Sequence, residues 1–129
     1  MATLVCKILG VVFVLVAIWG FIDGHQVLIF HVNTAHNIVH LLSGIAALYC
    51  GFAGMQAARW FSLIFGSVYG LVAVLGFLNV AAVNELLHLN DADDFLHLGI
   101  AIVFLVAGLA SRPADLGKPF GSAPVGPAM

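Results

Sequence analysis

The sequence predicts an all-α membrane protein: four transmembrane helices in two tandem two-helix hairpin repeats, with both termini cytoplasmic. Three observations predict it. The chain has 129 residues, 63% of them hydrophobic and 8% charged, with mean hydropathy +1.14, which leaves too little polar surface to cover a water-facing domain. Residues 4–22, 36–54, 60–80 and 92–111 form four apolar runs, each at or near the length a helix needs to cross hydrocarbon. The decapeptide from His31 to His40 reads H-x-N-x-A-x-x-x-x-H, and the same skeleton returns from His88 to His97.

The first run carries Gly10, Ala17 and Gly20, and the third carries Gly66, Ala73 and Gly76 at a constant offset. Leu15-Val16-Ala17 likewise matches Leu71-Val72-Ala73. Together with the decapeptides these matches divide residues 1–111 into repeat units of about 4–54 and 60–111. Each unit crosses the membrane twice, so the copies share one orientation and a pseudo-twofold axis is expected along the membrane normal. No small-residue cleavage site follows the first run, which therefore reads as a span and not as a signal peptide.

Charge orients the bundle. Lys7, Arg59, Arg112 and Lys118 fall at one end of the spans, whereas Asp23, Glu85, Asp91, Asp93 and Asp94 fall at the other. The positive-inside rule puts the bases in the cytoplasm and the His/Asp-rich loops on the periplasmic or extracellular side of a bacterial inner membrane. Lipid and other integral membrane subunits are the expected partners, and no basic surface suits nucleic acid. Cys6 and Cys50 map to the cytoplasmic ends of their spans, where thiols stay reduced.

In the first outer loop, residues 23–32, the run Gln26-Val27-Leu28-Ile29-Phe30 is apolar enough to lie in the interface. Its counterpart, residues 81–89, holds Asn84-Glu85-Leu86-Leu87-His88, a short amphipathic turn. Small residues at four-residue spacing, Ser43/Ala47/Gly51 and Ser62/Gly66/Gly70, mark faces where helix backbones approach closely. Met55-Gln56-Ala57-Ala58-Arg59 reads as a tight cytoplasmic turn, with Trp60 as an interfacial anchor. Residues 112–129 are a Pro/Gly-rich tail whose four prolines forbid a further helix, and it is expected to be a docking segment.

The polar cluster admits several roles. Asn33 and Asn90, or Thr34 and Asp91 beside them, sit where N-cap side chains accept from unpaired first-turn amides, and Asp93 and Asp94 fall at the positive end of the helix dipole. His40 and His97 lie about one turn deeper, at roughly 1.5 Å per residue, where an imidazole needs a partner. His36 and His40 are four apart, as are Asp93 and His97, so each pair shares a helix face. If the twofold joins them, His36, His40, Asp93 and His97 offer a ligand set for Zn²⁺ or Cu²⁺. His40 and His97 could instead hold a haem from two sides, or one of them a chlorophyll-type pigment. The plainest role is hydrogen-bonded glue between helices, with His40 donating to a carbonyl or to Asp93 and His97 pairing with His36 or Asn37. His25, His31 and His88 are nearer the surface and weaker as ligands.

The stretch from Ala35 to Gly44, with its echo from Asp93 to Gly99, resembles a bacterial family of small four-span membrane proteins classed as a domain of unknown function. The resemblance covers about residues 5–110. It implies the four-helix fold and puts His36, Asn37, His40, Asp93 and His97 at the family's polar positions. No activity comes with it. Family members often end soon after the fourth span, so the tail is a departure.

The chain has no nucleophile–base pair, phosphate-cradling glycine loop or zinc-protease spacing. The expectation is a noncatalytic accessory or structural subunit of a larger membrane complex, such as an electron-transfer or photosynthetic assembly. The alternative is a metal-, haem- or pigment-binding protein using the outer-face His/Asp cluster.

Overall fold

The computed structural model describes residues 1–111, and the expected docking tail lies outside them. Helix α1 (Ala2–Asp23) is followed by a two-residue antiparallel hairpin, β1 (Gln26–Val27) and β2 (Phe30–His31), then α2 (Thr34–Ala53) and α3 (Met55–Phe77). A short α4 (Ala81–Leu87) leads into α5 (Asp91–Ala110). Helices α1, α2, α3 and α5 are long and apolar enough to cross a membrane.

The distribution of side chains is that of a protein in lipid. Buried positions are small, aromatic or polar, among them Ala17, Ala47, Ser62, Phe104, His36 and Asn37, while Leu4, Ile8, Leu15, Ile22, Leu42 and Leu71 point outward. Association therefore rests on close backbone approach. A Cβ on Gly10 would stand 3.0 Å from the Gly44 carbonyl oxygen, and one on Gly44 would stand 2.9 Å from that of Gly10, so α1 and α2 touch through their backbones. Gly66 presses against Leu105, and Gly108 against Leu63, where α3 meets α5. Gly70 is different: its nearest neighbour to an added Cβ is Ala101 Cβ at 3.6 Å, an ordinary contact.

Residues matched by the repeat meet in the middle, as a twofold axis would bring them. Cys6 Sγ lies 3.5 Å from Ser62 Oγ, and the rings of Phe13 and Tyr69 stack with centroids 5.5 Å apart. At the end where the chain starts, Ser111 accepts from the Ala2 amide at 3.3 Å and donates to the Ala107 carbonyl. Cys6 and Cys50 are both free thiols.

One expectation about connections needs correction. Met55-Gln56-Ala57-Ala58-Arg59 is the first turn of α3, and the link from α2 is Gly54 alone. Met, Gln, Ala and Arg all favour helix, whereas Gly54 adopts φ 128°, a conformation that side chains disfavour. In the first outer loop, the apolar run 26–30 expected in the interface folds as a hairpin, with Gln26 opposite His31 and Val27 opposite Phe30. Leu28 takes a left-handed conformation at φ 56° to close it. The matching connection is helical in α4 because Ala81-Ala82-Val83-Asn84-Glu85-Leu86-Leu87 carries better helix formers.

Candidate metal centre

The two decapeptides open α2 and α5, and their asparagines set the geometry. Asn33 Oδ1 accepts from the His36 amide at 2.8 Å, and Asn90 Oδ1 accepts from the Asp93 amide at 2.9 Å. The same two side chains also tie the halves together. Asn33 Nδ2 donates to the Leu86 carbonyl at 2.8 Å, and Asn90 Nδ2 donates to the Ile29 carbonyl at 2.9 Å. Leu86 and Ile29 are themselves related by the repeat spacing, so each helix start is clamped to the other unit's connection.

That clamping brings three imidazoles together. His36, His40 and His97 are all buried, and one ring nitrogen from each lies within 4.8 Å of the others. His36 and His40 meet edge to face with centroids 4.5 Å apart. His97 lies 5.6 Å from His36 and 6.1 Å from His40. Phe13 stacks on His40 at 5.4 Å and Tyr69 on His97 at 5.5 Å, again residues related by the repeat. With the Phe13–Tyr69 stack these four rings close a cycle around the axis.

Hydrogen bonds fix two of the tautomers. His36 Nδ1 lies 3.1 Å from the Leu87 carbonyl oxygen, and His97 Nδ1 lies 2.6 Å from that of Asp93. A carbonyl can only accept, so Nδ1 carries the proton in both rings and Nε2 presents a lone pair. A backbone acceptor behind Nδ1 is the usual way in which a metal-binding histidine is oriented. His36 Nε2 and both ring nitrogens of His40 make no hydrogen bond among the described residues. The expected bonds of His40 to Asp93, and of His97 to His36 or Asn37, are not formed; His97 turns back onto its own helix.

Asp93 does not join the histidines, which corrects the four-residue ligand set. Its Oδ2 accepts from the Asn90 amide at 3.0 Å, completing a capping box with Asn90, because a carboxylate in the third helical position finds an unpaired amide within reach. Asn37 and Asp94 have a separate and matching use. The Oδ1 of Asn37 occupies the place where a Cβ on Gly20 would stand, and Asp94 Oδ1 does the same at Gly76. Neither oxygen has a conventional hydrogen bond among the described residues, so the glycine Cα–H, a weak donor, faces each. Gly20 and Gly76 were matched by the repeat offset, whereas Phe13 and Tyr69 were missed, although the same offset relates them.

The space beside the cluster is small. Two cavities of about 70 Å³ flank it, one bounded by His36, His40 and Tyr69 and the other by Val16, His40 and Asp93. Pockets for larger ligands run to roughly 300–1,000 Å³, and His40 and His97 are only 5% and 3% exposed. A haem or chlorophyll-type macrocycle does not fit between or beside these rings without parting the helices. A single ion is small enough: metal–nitrogen bonds of about 2.0–2.1 Å place bound nitrogens roughly 3.5 Å apart, against a spread of up to 4.8 Å among the three rings here. His25, His31 and His88 remain exposed and line an outer depression of about 400 Å³ with Gln26, Val32 and Leu89.

No curated protein and no solved structure matches the chain. A family model matches residues 3–110, spanning all four apolar helices and the three buried histidines. The chain belongs to the family described as a domain of unknown function, DUF4383.

Proposed function

We propose that this integral membrane protein binds one transition-metal ion through His36, His40 and His97, at the end of the bundle opposite its basic residues. The observation that carries the proposal is the convergence of three buried imidazoles within 4.8 Å, with His36 Nε2 and both His40 nitrogens free of hydrogen bonds among the described residues. Buried polar groups without a partner destabilise a fold unless something satisfies them, at about 1–3 kcal/mol each. Interhelical glue would account for the bond of His36 Nδ1 to the Leu87 carbonyl, but among the described residues it leaves His36 Nε2 and both His40 nitrogens without a partner, while the carbonyls behind His36 and His97 orient those rings as ligands. The accessory-subunit expectation rested on the lack of catalytic motifs, the small size and the tail of residues 112–129, which lies outside the described residues.

The test is metal content. Full-length protein purified in mild detergent from cells grown with ordinary trace metals should carry close to one equivalent per chain. His40→Asn should lose it while retaining helix content and a monodisperse profile, since an amide is a poor ligand where imidazole suits. Folded wild-type protein without metal, and unable to take any up, would refute the proposal.

A further inference from the structure

We infer that the ion is monovalent and three-coordinate, cuprous copper, in preference to a divalent ion such as zinc. The inference rests on the metal-binding reading above and concerns which ion that site selects. Its first support is the charge of the donor set. Imidazoles bind metals as neutral ligands, and neither nearby carboxylate is turned to the ring nitrogens. Asp93 is held by the Asn90 amide and Asp94 packs on Gly76. A bound ion would therefore keep its full charge.

The second support is the surroundings. His36, His40 and His97 are 1%, 5% and 3% exposed, and the rings stacked on them are those of Phe13 and Tyr69. The cost of moving an ion from water into such a medium rises with the square of its charge, so a divalent ion meets about four times the penalty of a monovalent one. The third support is the number of donors. Three histidines converge, and among the described residues no fourth His, Cys, Asp or Glu joins them. Structural zinc wants four ligands, and three-histidine zinc keeps a fourth position for water. Cuprous copper, with a filled d shell, is satisfied by three nitrogens in a plane.

The experiment is a competition on the purified full-length chain. Cu(I), kept reduced under anaerobic conditions, is presented bound to a chromophoric cuprous chelator, and Zn(II) is presented separately on a chromophoric zinc chelator. The protein should take about one Cu(I) from its chelator and leave Zn(II) on the other, and X-ray absorption of the copper form should report three nitrogen ligands. Outer-shell partners of metal ligands are commonly worth 10–100-fold in affinity, so His40→Asn, or His97→Gln if that variant fails to fold, should weaken Cu(I) by more than about 100-fold. Thiols also hold Cu(I), so the chain with Cys6→Ala and Cys50→Ser must keep its copper; copper lost with the thiols would overturn the inference. Zn(II) taken up through the same histidines as tightly as Cu(I) would overturn it too, leaving the metal reading intact. Neither ion bound by folded protein would overturn the metal reading itself.

Discussion

Asn33 and Asn90 each do what no other residue type can do at their positions. The side-chain oxygen caps its own helix while the amide nitrogen donates to a carbonyl of the other repeat unit. Aspartate would keep the cap and lose the donor; alanine would lose both. Asn33→Ala should therefore lower stability by about 1–2 kcal/mol, and Asn33→Asp by about half as much, in thermal unfolding in detergent. An Asp variant as stable as wild type would mean that the link to Leu86 contributes nothing. At this scale the sequence was partly legible. The paired histidines and the caps could be read from the two decapeptides, because N-cap chemistry is local. The partners of His36 and His97 could not, since they are main-chain carbonyls of Leu87 and Asp93 and carry no sequence signal.

Helix pairing depends on which glycines are in contact, and spacing alone did not separate them. Ser62, Gly66 and Gly70 read as one small-residue face, yet Gly66 is pressed by Leu105 while Gly70 has room. Gly10→Ala and Gly44→Ala should each cost about 1–3 kcal/mol by pushing α1 from α2. Gly70→Ala should be neutral or slightly stabilising, since alanine is the better helix former. Loss of stability in Gly70→Ala matching that of Gly10→Ala, followed by thermal unfolding, would contradict this division. The four long helices were legible because twenty-residue apolar runs leave few other outcomes in lipid. The β1–β2 hairpin was not, because a two-residue pairing closed by Leu28 and Ile29 lacks the Asn-Gly or Gly signal such turns usually carry.

For the whole molecule, basic charge lies at one end of the bundle and the histidine cluster at the other, and that separation is the basis of the orientation expected from sequence. Lys7 and Arg59 lie against the rings of Phe52 and Trp60 at one end, and the histidines open α2 and α5 at the other. In a chain lacking Cys6 and Cys50, Gln26→Cys should react with a membrane-impermeant thiol reagent added to intact cells. Protection of that residue until the cells are lysed would reverse the proposed orientation. Sequence matches told which residues the two units hold in common, and the fold added how they meet: His40 and His97 converge, and Asp93, the repeat's counterpart of His36, is withdrawn into a cap. The site is thus asymmetric within a pseudosymmetric frame, three imidazoles where perfect repetition would give four or two.

The central claim is tested most directly by anomalous scattering from crystals of the metal-loaded full-length protein, recorded on both sides of the metal's absorption edge. The account predicts one strong peak between the three imidazoles, bonded to Nε2 of His36, Nε2 of His97 and a ring nitrogen of His40. A peak confined to the outer depression of His25, His31 and His88, or histidines bridged by water with no anomalous signal between them, would contradict it.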